Sequence, residues 1–255
     1  MATHSSSLSL RSSRVLPGPW RGFAWALRGA PQEVATRALV GALQHGKPLR
    51  QWMALVHDLR HRGLVDDERR EYLRALRPVV HGGTDIPSRI AQLIAHTDWL
   101  EQGFQSRAFE QLMHGKPVVV ADMQPPRGYD QMRLQLQRAV RHSPEGELLL
   151  TLTLRRSAKV QVGAQPVEIA ALAFTRIRLE GLPCLAIGGV RGQREVNGRV
   201  SPTEVVHALQ GWRAPVFLVR VAQELARYWG LHLVGLDPAA HRLHRWPSRW
   251  RRHHR

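Results

Sequence analysis

The segment that most constrains this chain is Leu182-Pro-Cys-Leu-Ala-Ile-Gly-Gly-Val-Arg-Gly192, together with the residues after it up to Leu236. A short apolar run ending in clustered glycines reads as a buried strand running into a tight turn. Ser201-Pro-Thr-Glu204 then has the composition of a helix start, with Ser before Pro and an acid in the first turn, and Gly211 ends that helix. Pro215 starts a second helix whose apolar stripe is Leu218, Val221, Ala222, Leu225 and Tyr228/Trp229, and Gly230 caps it. Leu231-His-Leu-Val-Gly-Leu236 returns as a strand. The order predicted is buried strand, glycine turn, capped helix, buried strand.

Upstream, the hydrophobic period divides the chain in two. From Glu33 to Met113 it is helical. Segments over Glu33–His45, Leu49–Arg62, a helix begun by Asp66-Asp-Glu68 and closed by Pro78, one begun at Pro87, and a short one reaching Met113 each carry apolar residues three and four apart. His-Gly-Lys-Pro occurs at 45–48 and again at 114–117, and both copies read as helix stops. From Pro117 the pattern alternates. Met132, Leu134 and Leu136 interleave with Arg133, Gln135 and Gln137, and further strands are predicted at Val118–Val120, Glu147–Leu154, Val167–Leu179 and Leu182–Val190. Their connections are short, which favours antiparallel neighbours. The class is therefore α+β: a helical region, 31–116, packed on a largely antiparallel sheet with a helix–strand unit, 117–240, flanked by a basic leader, 1–30, and an Arg/Trp/His tail, 241–255, both read as disordered.

Composition narrows the function classes. The formal charge is +17, but residues 1–30 hold four Arg and residues 241–255 six, with no acid in either tail, so the body is only mildly basic. No run of about 18 apolar residues is present, which excludes a helical span, and the first thirty residues lack the apolar core of a secretory signal. The single cysteine, Cys184, excludes an internal disulfide and reads as a small buried hydrophobe. These features fit a cytoplasmic protein.

Several segments, taken in order, are similar to the VirK/YbjX-like family of bacterial proteins. They are Arg89 with His96-Thr-Asp-Trp-Leu100, Glu145-Gly-Glu-Leu-Leu-Leu150, Ala173-Phe174, Ile187-Gly-Gly-Val-Arg-Gly192 and His207-Ala-Leu-Gln-Gly-Trp-Arg213. The likeness runs from about Ser88 to His241. Arg191 stands where the family has Gln, and Val206, His207 and Gln210 stand where it usually has Thr, Lys and His. A Tyr-Asp-x-Phe-Trp segment and closing strand expected past this point are missing, so the resemblance implies a truncated or diverged C-terminal end. It also implies a role in stress response, envelope maintenance, and virulence or antimicrobial-peptide resistance, with no defined molecular activity.

For chemistry, the strand–turn–helix–strand order also resembles the centre of acyl-CoA N-acyltransferases. Their Gln/Arg-x-x-Gly-x-Gly/Ala loop fails here in both registers, since Arg194 and Val196, or Asn197 and Arg199, occupy its glycine positions. On this reading Gly188, Gly189, Arg191, Gly192 and Arg213 contact the ligand, Glu195 or His207 accepts a proton, and acyl-CoA is the one cofactor admitted. Glycines that merely permit a tight or bulged strand end are the plainer reading. His57-Asp-Leu-Arg-His61 places two imidazoles one helical turn apart but lacks the glutamate of a His-Glu-x-x-His site, so no structural metal is expected. The alternative to an enzyme is a binder of nucleic acid or anionic lipid through the tails, where Trp246 and Trp250 alternate with Arg.

Overall fold

The computed structural model describes residues 36, 40–41, 44–76, 85–139, 145–157, 165–192 and 201–235. The helix expected over Glu33–His45 lies mostly outside these residues, as do the two tails and Glu195.

Among the described residues, four helices lead into the sheet: α1 (Gly46–His61), α2 (Glu68–Leu76), α3 (Ile86–Gly103) and α4 (Ser106–Met113). Strands β1 (Val118–Met123), β2 (Tyr129–Arg138), β3 (Leu148–Arg156), β4 (Val167–Leu179) and β5 (Leu182–Gly192) come next, then α5 (Pro202–Ala208), α6 (Ala214–Tyr228) and β6 (His232–Gly235). The six strands lie in sequence order in one sheet. All neighbours are antiparallel except β5 and β6, which pair in parallel over Cys184–Ile187 and His232–Gly235. Parallel neighbours demand a crossover, and α5 and α6 supply it. The α+β class expected from the hydrophobic pattern is the observed one.

Local chemistry accounts for most boundaries. Glu180 and Gly181, both at positive φ (51° and 82°), form the two-residue link between paired Leu179 and Leu182, as a primed hairpin turn requires. The cap of α2 is Asp67 rather than Asp66, its carboxylate accepting from Arg70 N at 3.0 Å. Both His-Gly-Lys-Pro copies follow the end of a helix. At 114–117 Gly115 adopts φ 68° after α4. At 45–48 helical Gln44 gives way to non-helical His45, whose N–H bonds Gly41 O at 2.8 Å, and the same tetrapeptide also opens α1, with His45 as N-cap. Proline is tolerated there because first-turn N–H groups have no helical acceptor.

Two apolar clusters result. The larger unites Met132, Leu134 and Leu136 of β2, Leu148, Leu150, Leu152 and Leu154 of β3, and Leu172 and Phe174 of β4 with Ala214, Leu218, Ala222 and Ala226 of α6. Alanines on α6 let it lie close to the sheet. At its end Trp229 meets Trp99 (5.0 Å between centroids), Phe104 (5.7 Å) and Phe174 (6.4 Å), which ties α3, α6 and β4 together. The smaller cluster joins Leu49, Trp52, Met53 and Val56 of α1 to Tyr72, Leu73 and Leu76 of α2 and Ile90 and Leu93 of α3.

Candidate functional site

The stretch expected to form a glycine turn is strand. Gly188 to Gly192 belong to β5, and Gly188 is the extra residue of a β-bulge, because Ala173 pairs with Gly189 and Phe174 with Ile187. The physical reason is a strap, Glu145-Gly146-Glu147, laid over the bulge. A Cβ on Gly188 would coincide with the Glu145 carbonyl oxygen, and one on Gly189 would meet the Glu145 carboxyl carbon at 2.8 Å. Gly146 is also pressed on backbone, since its Cβ would stand 2.6 Å from Phe174 N. Glu147 N donates to Phe174 O (3.1 Å) and to Thr175 Oγ1 (3.0 Å), fixing the strap on β4.

From the strap Glu147 projects into a buried ionic layer. Its carboxylate is held by Arg74 of α2 and Arg89 of α3. Beside it Glu71 pairs with Arg138 of β2 at 2.5 Å and with Arg74 at 3.5 Å. Burial opposes ionisation of Glu147, but Arg74 and Arg89 outweigh it and hold the carboxyl well below its usual range. Glu71 obeys the same logic, burial being overcome by Arg138 and Arg74. His96, 4% exposed, accepts from Arg176 N through Nδ1 at 3.3 Å. Burial pushes its pKa down to about 3, the nearby Arg cations countering Glu147, so the ring is neutral. Members of this layer come from α2, α3, the end of β2 and the strap that precedes β3.

Segments that carry the family resemblance thus meet in space. Arg89 grips Glu147, His96 receives Arg176 N, Gly146 rests on Phe174, and Glu145 covers Gly188 and Gly189. Nothing in the sequence pattern joined Glu71, Arg74 and Arg138 to them.

Of the other candidate residues, Arg191, Gly192 and Arg213 lie at or beside the carboxyl end of β5. Gly192 abuts the first turn of α6, where its Cβ would lie 3.2 Å from Pro215 Cγ. Arg213 is the exposed N-cap of that helix, with no side-chain cap bond and no acid in the first turn. Ser, Thr, Asp or Asn is the usual cap, and acids are favoured at the positive end of the helix dipole. Arg191 is exposed and pairs with Glu168 at 3.0 Å, its Nη1 lying 3.9 Å from Glu145. His207 is exposed on α5. Among the described residues no group of three or more His, Cys, Asp or Glu is arranged to hold a metal. His57 and His61 do face each other, Nε2 to Nε2 at 3.0 Å, with Glu68 on His57 Nδ1 at 3.2 Å. No helix among the described residues is long and apolar enough to cross a membrane.

The fold and its ionic layer define an α+β protein whose helical region is fastened to a bulged, mostly antiparallel sheet. Residues 35–255 match the family described as "Protein of unknown function (DUF535)", and the chain belongs to that family. No curated protein and no solved structure matches it.

Proposed function

We propose that this chain is a VirK/YbjX-type bacterial protein that works from the cytoplasm in stress response, envelope maintenance and resistance or virulence, and that its molecular activity is acyl-CoA-dependent acyl transfer at the carboxyl end of β5. The observation that carries the reading is the β5–α6–β6 crossover, which brings the uncapped N-terminus of a 15-residue helix against Gly192 at the end of a bulged strand. Ligands of sheets with parallel crossovers bind beyond the carboxyl ends of the strands, with phosphates on helix N-termini. Pro215 lacks an N–H, so Ala214 and Val216 offer the backbone donors, and Arg213 and Arg191 add charge. The reading rests on the crossover rather than on Gly188 and Gly189, whose close packing against Glu145 already explains them. In the reaction a nucleophile on the acceptor attacks the thioester carbonyl and loses its proton to His207 or Glu195. The carbon–sulfur bond then breaks, and the thiolate leaves and is protonated.

Calorimetric titration of the full chain with acetyl-CoA tests this. Saturable heat that Arg213→Ala weakens tenfold or more supports the reading; no heat, or heat unchanged by both Arg213→Ala and Arg191→Ala, removes it. The second reading, binding of nucleic acid or anionic lipid, is favoured by the Arg- and Trp-rich composition of residues 241–255. It predicts affinity that falls steeply with salt and disappears when those residues are deleted.

A further inference from the structure

The ionic layer between the helices and the sheet is unbalanced in two ways. Among the described residues three guanidinium groups, Arg74, Arg89 and Arg138, face two carboxylates, Glu71 and Glu147, an excess of one positive charge. Glu147 Oε1 accepts a hydrogen bond from Arg89 and Oε2 forms an ion pair with Arg74, while Glu71 is shared by Arg138 and Arg74. Among the described residues the buried side-chain groups left without a hydrogen bond are three nitrogen donors, the Tyr72 hydroxyl and Glu147 Oε2, the last still lying against the Arg74 cation. Arg89 Nε and His96 Nε2 are buried with no hydrogen-bond partner among the described residues, and Arg176 Nε is in the same state. His96 Nδ1 accepts the Arg176 N–H, so the proton of the neutral ring sits on Nε2, pointing away from that bond. Arg89 and His96 are 3% and 4% exposed and lie two turns apart on α3, so they share one face of it.

We propose that this layer binds a small anion, held by the Arg89 Nε–H and His96 Nε2–H donors within the field of the three guanidinium groups. An unpaired buried donor and an uncompensated buried charge each carry a large desolvation penalty. A water molecule would satisfy a donor but leave the charge; an anion answers both. Chloride, a carboxylate and inorganic phosphate share the required chemistry. The site is independent of the acyl-CoA reading, because it lies beneath α2 and α3, whereas that reading uses Arg213 and the start of α6.

The test uses the full chain in a buffer whose only anion is large and weakly coordinating. Chloride is titrated while its NMR line width is monitored, and acetate and inorganic phosphate are then added as competitors. The result expected is saturable broadening, reversed by whichever competitor binds tighter, and a urea midpoint that rises over the same concentration range. His96→Phe, which keeps a buried ring but removes the donor, abolishes the saturable component, and His96→Gln, which keeps a donor, retains part of it. Broadening and midpoint changes that are the same in wild type and His96→Phe assign the ions to the basic surface and overturn the proposal. Should His96→Phe not fold, the wild-type titrations still decide, because no saturable response to any of the three anions overturns it equally. Arg213→Ala leaves the anion response intact, so failure here and failure of acyl-CoA binding are read separately.

Discussion

Replacing Glu147 by glutamine is the most exacting perturbation of the ionic layer. The amide keeps the shape of the side chain and its bulk between Arg74 and Arg89, but removes the one carboxylate among the described residues that both cations contact. Glu71 remains, shared between Arg138 and Arg74, so Arg89 loses its sole charged partner among the described residues. Breaking a buried pair from one side costs about 3–5 kcal/mol, chiefly because the surviving charge stays buried. Whole domains are stable by only about 5–15 kcal/mol. A loss of about 4 kcal/mol would lower the midpoint of thermal unfolding by roughly 8–16 °C in a chain of this size. Urea unfolding monitored by far-UV circular dichroism measures it, with the slope expected to stay constant while the midpoint falls. The triple variant Arg74→Met/Arg89→Met/Glu147→Leu supplies the internal control, since it leaves the Glu71–Arg138 pair in place and an apolar replacement of a buried ion triad is often neutral or stabilising. A Glu147→Gln protein within about 1 kcal/mol of wild type would refute the reasoning, because that is the range of an exposed ion pair.

Other parts of the structure carry expectations of their own. His96 has its pKa lowered to about 3 by burial, so below the unfolded value of about 6.5 the unfolded chain takes a proton that the native state refuses. Stability therefore falls as pH drops from about 6.5 towards 3, by on the order of 2 kcal/mol at pH 5, and urea titrations of His96→Gln across that window should show a flatter profile than wild type. Gly188→Ala should destabilise more than Gly63→Ala in parallel denaturation curves. Gly63 stands in open space at φ 73° and suffers only the left-handed strain of about 1–2 kcal/mol, whereas a Cβ on Gly188 forces the Glu145 backbone to move. Asp67→Ala should cost about 1 kcal/mol through loss of the α2 cap, while Asp66→Ala, by the same thermal assay, should change little.

Regular elements were legible in the sequence because their cause is local. The alternation of Met132, Leu134 and Leu136 is the buried face of β2, and Pro87 does sit in the first turn of α3. Short links, above all Glu180-Gly181, carried the antiparallel pairing. The illegible part depends on groups that meet only after folding. The cluster partners Arg89 and Glu147 are 58 residues apart, and Glu71 and Arg138 are 67 apart, so no spacing rule links them. Arg89 and His96 could have been noticed as polar residues beside the apolar stripe of Ile90, Leu93, Thr97 and Leu100. Gly188 and Gly189 were ambiguous for a different reason. Clustered glycines serve turns, bulges and close backbone approaches alike, and the strap that selects the bulge is about forty residues away in sequence. His45-Gly-Lys-Pro48 shows a related limit, because a tetrapeptide that stops one helix after Gln44 also opens the next when its N–H groups fall in the first turn.

Hydrogen exchange of the full chain with and without acetyl-CoA tests the functional account most directly. The account predicts slowed exchange at the carboxyl end of β5 and in the first turn of α6, around Arg191, Gly192 and Ala214–Phe217, and loss of that protection in Arg213→Ala. Exchange that is unchanged there, or slowed only within residues 241–255, would contradict it and leave the basic tail as the place where this protein meets its ligand.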